Sequence, residues 1–221
     1  MRIKIIPNGP YVVMGNVPIR AVTINSDGVK NWLDPGPAMP QGETYHLCRC
    51  GQTKTPPFCD GTHDVIHFDG QETAAKDAYV KRIKDVAKGG TMQLLDDGRC
   101  AYARFCHTEN GTIWAMTEND SDPRSRKNAI EAAHNCPSGR LSMFDLHGNS
   151  LDQEFSPEIL IVTDPAKHSH AGIWVRGPIA IEAADGTEYE VRNRVALCRC
   201  GAAKKKPFCD ASHVNAPNAQ L

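Results

Sequence analysis

Residues 48–63 read Cys-Arg-Cys-Gly-Gln-Thr-Lys-Thr-Pro-Pro-Phe-Cys-Asp-Gly-Thr-His, and residues 198–213 read Cys-Arg-Cys-Gly-Ala-Ala-Lys-Lys-Lys-Pro-Phe-Cys-Asp-Ala-Ser-His. At a constant offset of 150, ten of the sixteen positions are identical, so the chain contains an internal repeat. Each copy offers three cysteines and a histidine: Cys48, Cys50, Cys59 and His63, then Cys198, Cys200, Cys209 and His213. The likeness extends upstream. Tyr-Val-Val-Met-Gly-Asn-Val-Pro-Ile at 11–19 and Ile-Trp-Val-Arg-Gly-Pro-Ile-Ala-Ile at 173–181 share an apolar pattern, two short β-runs about Gly15 or Gly177. Asp27-Gly28 and Asp185-Gly186 read as hairpin turns, and the strand that follows ends at Leu47 or Leu197, just before the first cysteine. Each copy is a β-arm feeding a metal loop. Pro35, Pro37 and Pro40 mark an irregular insertion in the first arm. The expected division is a first lobe at 1–70, an insert at 71–150 and a second lobe at 151–221.

Nine cysteines is an odd number, which a fully paired disulfide framework cannot use, and metal is the better reading. In Cys48-Arg49-Cys50 two thiolates leave one strand from alternate positions on the same face, and Cys59 returns after a loop broken by Pro56 and Pro57. Asp60 as a helix N-cap would begin a turn at Gly61 and present His63 beside Cys59. The same reading of Asp210 puts Ala211 at the first helical position with negative φ, where alanine fits as well as glycine. Three cysteines and a histidine suit tetrahedral zinc or a two-iron cluster, and spacing alone does not separate them. Zinc knuckles typically set paired cysteines about two to four residues apart, so the Cys-x-Cys pair counts mildly against zinc.

These motifs closely resemble the CDGSH iron-sulfur domain, the family of mitoNEET. The resemblance implies that Cys48, Cys50, Cys59 and His63 hold one 2Fe-2S cluster and Cys198, Cys200, Cys209 and His213 a second. In each, two cysteines would serve one iron and the Cys-His pair the other. The family packs strands of two copies into a β-sandwich with both clusters at one end, so a tandem chain implies an intramolecular pseudo-dimer and a monomeric protein. The second copy departs twice, with Ala203 for Thr53 and Ala211 for Gly61. Neither is a ligand. The Thr53 hydroxyl is placed to reach a cluster sulfur or a loop carbonyl.

The insert carries the remaining cysteines, Cys100, Cys106 and Cys136. Ala75, Tyr79, Ile83, Val86 and Ala87 give a helical stripe closed by Gly89, Met92–Leu95 reads as a strand, and Ile113–Thr117 as another after the Asn110-Gly111 turn. Asp122 as N-cap and Pro123 at the first position open a helix with Ala129, Ile130 and Ala133 on one face, running to Cys136. Bacterial ferredoxins space ligands at i, i+3 and i+6 and take another from a distant Cys-Pro. Here Cys100 and Cys106 are i and i+6, Ala103 fills i+3 one helical turn from each, and Cys136-Pro137 is the distant pair. The insert thus resembles a divergent single-cluster ferredoxin segment. Three thiolates imply a 3Fe-4S cluster. The runner-up is a 4Fe-4S cluster whose fourth iron binds water or a side chain such as His107.

Basic and acidic residues number 25 and 26, which leaves no field for nucleic acid. No apolar run reaches the length of a membrane span, and after Arg2 and Lys4 the residues Pro7, Asn8 and Pro10 break any secretory leader, so a cytoplasmic protein is expected. His46, His67, His134, His147, His168 and His170 are assigned no metal. Lys204, Lys205 and Lys206 read as a solvated run or as a guide for an acidic redox partner. No Ser-His-Asp set, phosphate loop or dinucleotide fingerprint appears, so no enzyme is expected. The expected fold is α+β, mainly β: a pseudo-dimeric β-sandwich carrying two CDGSH modules and a small α/β ferredoxin-like insert. The expected function is electron transfer or redox sensing with an unidentified redox partner. The alternative is a carrier that hands 2Fe-2S units to apo-proteins.

Overall fold

A computed structural model describes residues 1–221. The first lobe holds β1 (Arg2–Ile5), β2 (Tyr11–Met14), β3 (Ile19–Ser26), β4 (Asn31–Ala38), β5 (Thr44–Leu47) and the single turn α1 (Thr62–Val65). The middle holds β6 (Asp85–Lys88), β7 (Met92–Asp96), β8 (His107–Thr108), β9 (Gly111–Thr112), α2 (Ile113–Glu118), α3 (Pro123–His134) and β10 (Leu141–Asp145). The last lobe holds β11 (Glu158–Asp164), β12 (Ser169–Arg176), β13 (Ala180–Glu182) and β14 (Arg194–Leu197). The chain is mainly β, and no helix is long and apolar enough to cross a membrane.

The two lobes exchange strands. β1 pairs in parallel with β13, and β11 in parallel with β3. One sheet therefore runs β13-β1-β2-β5 and the other β14-β12-β11-β3-β4. Apart from the edge strand β4, the second order is the first with the copies interchanged. Alternation drives this arrangement: Ile3 and Ile5 of β1 point inward while Arg2 and Lys4 face solvent. Ile3, Ile5, Tyr11, Val13 and Leu47 share one core with Ile159, Ile161, Ile173, Val175 and Leu197 of the other sheet. Pro35 and Pro37 lie within β4, so the stretch expected to be irregular is a strand. As an edge strand it tolerates prolines whose missing N–H would break an inner ladder.

The outer faces of the two sheets differ. On the first, Arg2, Lys4, Thr44 and His46 are exposed. On the second, Leu160, Val162, Ala171 and Trp174 are buried beneath Ala101, Ala103 and Phe105 of the insert, with Phe105 edge-to-face on Trp174 at 6.3 Å.

The insert builds its own antiparallel sheet, β10-β7-β6, backed by α2 and α3. No helix covers 75–87. Tyr79 sits in a 3-10 turn with its hydroxyl donating to the Leu95 and Arg140 carbonyls at 2.7 and 2.9 Å, and Val86 and Ala87 pair with β7. Tertiary pairing overrides a helical stripe too weak to hold alone. Residues 113–117, expected as a strand, begin α2, because Thr112 accepts from the Ala115 N–H and Ile113, Met116 and Thr117 bury one helical face. α3 starts as read: the Asp122 carboxylate accepts from the Ser125 N–H at 2.8 Å and Pro123 opens the helix. Buried Arg194 on β14 fastens the end of α3 to the second lobe, donating to the carbonyls of Cys136, Ala133 and Leu141 at 2.7, 2.8 and 2.9 Å.

Candidate metal centres

Both repeated loops close the same way. The Cys48 N–H donates to the Pro57 carbonyl at 2.8 Å and the Cys59 N–H to the His46 carbonyl at 3.0 Å. Cys198 to Pro207 and Cys209 to Ala196 repeat this, each at 2.8 Å, and a cis peptide precedes both Pro57 and Pro207. These bonds fold the third cysteine back beside the first two. Asp60 then ties the loop from inside, accepting from the Lys54 N–H at 2.8 Å and the Thr62 N–H at 3.0 Å. Asp210 does the same with Lys204 and Ser212 at 2.7 and 3.1 Å.

One expectation is corrected here. The aspartates are not N-caps: Gly61 and Ala211 occupy that position in the left-handed region, at φ 87° and 71°, so Ala211 is strained rather than neutral. Of the two partners expected for the Thr53 hydroxyl, it meets the loop carbonyl, donating to Phe58 at 2.6 Å.

The four side chains of each motif converge two by two. Cys48 and Cys50 sulfurs lie 3.5 Å apart, and Cys59 Sγ lies 3.3 Å from His63 Nδ1. In the second copy the corresponding distances are 3.7 and 3.4 Å. No three or more Cys, His, Asp or Glu side chains gather closely enough to hold a single ion. A mononuclear zinc needs all four around one point, whereas a two-iron cluster takes two ligands on each iron. The pairs fit the latter.

Burial raises the thiols. Cys50 is pushed up to about 11 by burial, with Cys48 adding, and burial also raises Cys59 and Cys209. The Cys198 sulfur is hydrogen-bonded by Cys200, which brings Cys198 down to about 7 and pushes Cys200 up. Metal binding here must displace protons.

A second test of fit lies between the paired cysteines. Arg49 and Arg199 are equivalent, and in each the same guanidinium nitrogen is buried with no partner. Arg49 is otherwise held, donating to Gly9 and Ile6 carbonyls at 2.8 and 3.1 Å. A buried donor left over in both copies is one that an anionic group bound within its reach would satisfy. Sequence reading passed over these arginines, although the repeated Cys-Arg-Cys carried the signal.

The two loops meet back to back. A Cβ on Gly51 would lie 2.6 Å from the Cys200 carbonyl oxygen, and one on Gly201 would run into the Cys50 carbonyl. Asn218 bridges these carbonyls, and Tyr11 of the first lobe donates to the Cys198 carbonyl at 2.8 Å. A cavity of about 170 Å³ opens between the loops, lined by Cys48, Cys200, Arg199 and His170 among others.

The middle trio also comes together: Cys100, Cys106 and Cys136 line one small cavity with Ala103, Ser138 and Arg140. Cys106 is pushed up to about 11 by burial, with the charges of Cys136 and Cys100 acting in the same direction. His107 Nδ1 lies 3.2 Å from Cys106 Sγ, and Arg140 is fixed by two bonds of 2.6 Å to Asp96. The 100–106 segment is not helical, contrary to expectation. Tyr102 and Arg104 are left-handed at φ 60° and 66°, and alternate residues Ala101, Ala103 and Phe105 pack on the second lobe. Of the unassigned histidines, His134 stacks on Phe155 at 4.3 Å.

Duplicated paired thiols on a duplicated β-fold, with a third thiol trio between them, are donor sets of the kind that iron-sulfur proteins use. Comparison with known families agrees. The family described as iron-binding zinc finger, CDGSH type, matches residues 8–64 and 171–214, and the divergent 4Fe-4S mono-cluster family matches residues 88–146. The chain carries two CDGSH domains with a divergent 4Fe-4S domain between them, and it is an iron-sulfur protein. No curated protein and no solved structure matches it.

Proposed function

We propose that this chain is an electron-transfer or redox-sensing protein rather than an enzyme, with two 2Fe-2S clusters on the repeated loops. A third cluster, 3Fe-4S with 4Fe-4S as the runner-up, is held by Cys100, Cys106 and Cys136. The observation that carries this reading is the pairing of ligands, Cys with Cys and Cys with His, in both copies. Such clusters supply one-electron redox chemistry, and a neutral imidazole in place of a thiolate raises the potential. The chain's own contribution is to fix the ligand pairs, to set an arginine in sequence between the paired cysteines of each motif, and to seat the loops on a stiff β-core. The exchanged strands support a monomer whose lobes stand in for the two subunits of a dimer, in the manner of a β-sandwich. Nine free thiols suit a reducing cytoplasm.

The alternative, transfer of 2Fe-2S units to apo-proteins, draws support from the partial exposure of Cys59 and His63. Mixing the coloured protein with an apo-ferredoxin separates the two. Under electron transfer the colour bleaches on reduction and stays with the chain. Movement of the absorbing species to the acceptor would establish the carrier instead.

A further inference from the structure

The two CDGSH sites are alike in sequence and unlike in surroundings. Cys48 and Cys50 are buried like their counterparts, but in the first site Cys59 is partly exposed, the His63 side chain is 14% exposed, and its Nε2 lies 3.4 Å from solvent-facing Asp64. α1 buries none of its residues. In the second, Cys198, Cys200 and Cys209 are all buried and His213 is 2% exposed.

Two covers make the difference. On one side the C-terminal tail packs Ala216 and Ala219 against Cys198 and Cys200, with the Leu221 N–H donating to the His168 carbonyl at 2.9 Å. On the other, the insert's Ala101, Ala103 and Phe105 share an apolar cluster with Cys209 and Trp174. Between these strap residues Arg104 reaches Asp164, the last residue of β11, through bonds of 2.6 and 3.0 Å from its two terminal nitrogens. Asp164 is 1% exposed, so this is a desolvated, two-armed pair of the kind that fixes geometry. Removing one partner would leave a buried charge unpaired. The first site has no counterpart, because the outer face of its sheet carries Arg2, Lys4, Thr44 and His46 in solvent.

We propose that the first CDGSH site is the partner-facing one, and that the strap 101–105, latched by Arg104 to Asp164, holds the Cys209 side of the second closed. This rests on the iron-sulfur reading above. Exchange with a partner then proceeds through His63 and Cys59, and the Cys209 side of the second site is reached only when the strap lifts. Arg104 is a positioning residue: it hydrogen-bonds none of the eight CDGSH residues, and it lies between Cys100 and Cys106, whose cavity it lines.

The as-isolated protein is incubated at neutral pH with bathophenanthroline disulfonate, alkylated at intervals with iodoacetamide, and mapped by mass spectrometry. Cys59 is expected to be labelled first, with Cys209 slower by about ten-fold or more, as for a group that needs local opening. Arg104→Gln and Asp164→Asn should each bring Cys209 toward the rate of Cys59 and leave Cys59 unchanged. The double variant should add nothing. Equal labelling of Cys59 and Cys209 in the unsubstituted protein, or an unaltered gap in both variants, overturns the proposal. If either variant fails to fold, hydrogen exchange of the unsubstituted protein decides. Amides of 101–105 that open freely while Cys209 stays unlabelled would show that the strap is not the cover. A chain isolated without iron would sink the iron-sulfur reading, yet the order of labelling would still test the strap.

Discussion

Ala211 is where the second loop works against its own backbone. An L-residue in the left-handed region costs roughly 1–2 kcal/mol, and Gly61 at φ 87° avoids this in the first loop. A Cβ on Gly61 would meet nothing within 4 Å, so the penalty there is one of backbone conformation alone. Ala211→Gly should therefore stabilise the protein by about 1 kcal/mol and Gly61→Ala destabilise it by a similar amount, read from thermal melts of the loaded protein. Melts that shift the same way in both variants would contradict this. The candidate ligands, and their pairing, were legible from spacing. The cap was not, because an aspartate that accepts from the N–H two residues on looks in sequence like one that caps a helix.

If His63 and His213 hold the clusters, His63→Cys and His213→Cys should each lower the potential of their own cluster, since a thiolate donates more charge than an imidazole. Redox titration of each variant checks this. Unchanged potentials in both would mean that the histidines are not ligands.

Among the elements, strand burial was written in the sequence more fully than the alternation rule conveys. Arg2-Ile3-Lys4-Ile5 alternates and has one wet face, whereas Ile159-Leu160-Ile161-Val162 is apolar throughout and is buried on both. That continuous run is the signal that something covers the second sheet, though it does not say what. The stripe over 75–87 misled for the converse reason: short apolar periodicity is ambiguous, and pairing with β7 decided it. The turn before β7 depends on Asp120, whose buried carboxylate accepts from the N–H groups of Gly90, Thr91 and Met92 and from the Thr91 hydroxyl. Burial alone would raise its pKa, but these donors outweigh it and the net shift is downward. The stabilisation is thus present above the ordinary carboxylate range and lost as pH falls below about 4. Asp120→Ala should loosen the β6–β7 turn at neutral pH, as faster amide exchange there, and flatten the acid dependence. Equal acid sensitivity with and without Asp120 would remove this role.

Over the whole molecule, the repeat predicted two similar lobes but not that each completes the other's sheet. Period-two patterning names the buried face of a strand and is silent on its neighbour. The same holds for the insert, whose attachment rests on long-range contacts such as Arg194 to the Cys136 carbonyl. Arg194→Met should lose the middle cluster while keeping both outer ones, because it leaves the Cys136, Ala133 and Leu141 carbonyls without their donor. Electron spin resonance reads this directly, and loss of all three signals together would show that the insert is not a separable unit.

The central claim, three iron-sulfur sites on one chain, is tested most directly by metal and acid-labile sulfide analysis of the purified protein. With the middle cluster as 3Fe-4S, the expected content is about seven irons and about eight sulfides per chain, in a coloured protein. A colourless protein holding zinc and no sulfide would contradict it.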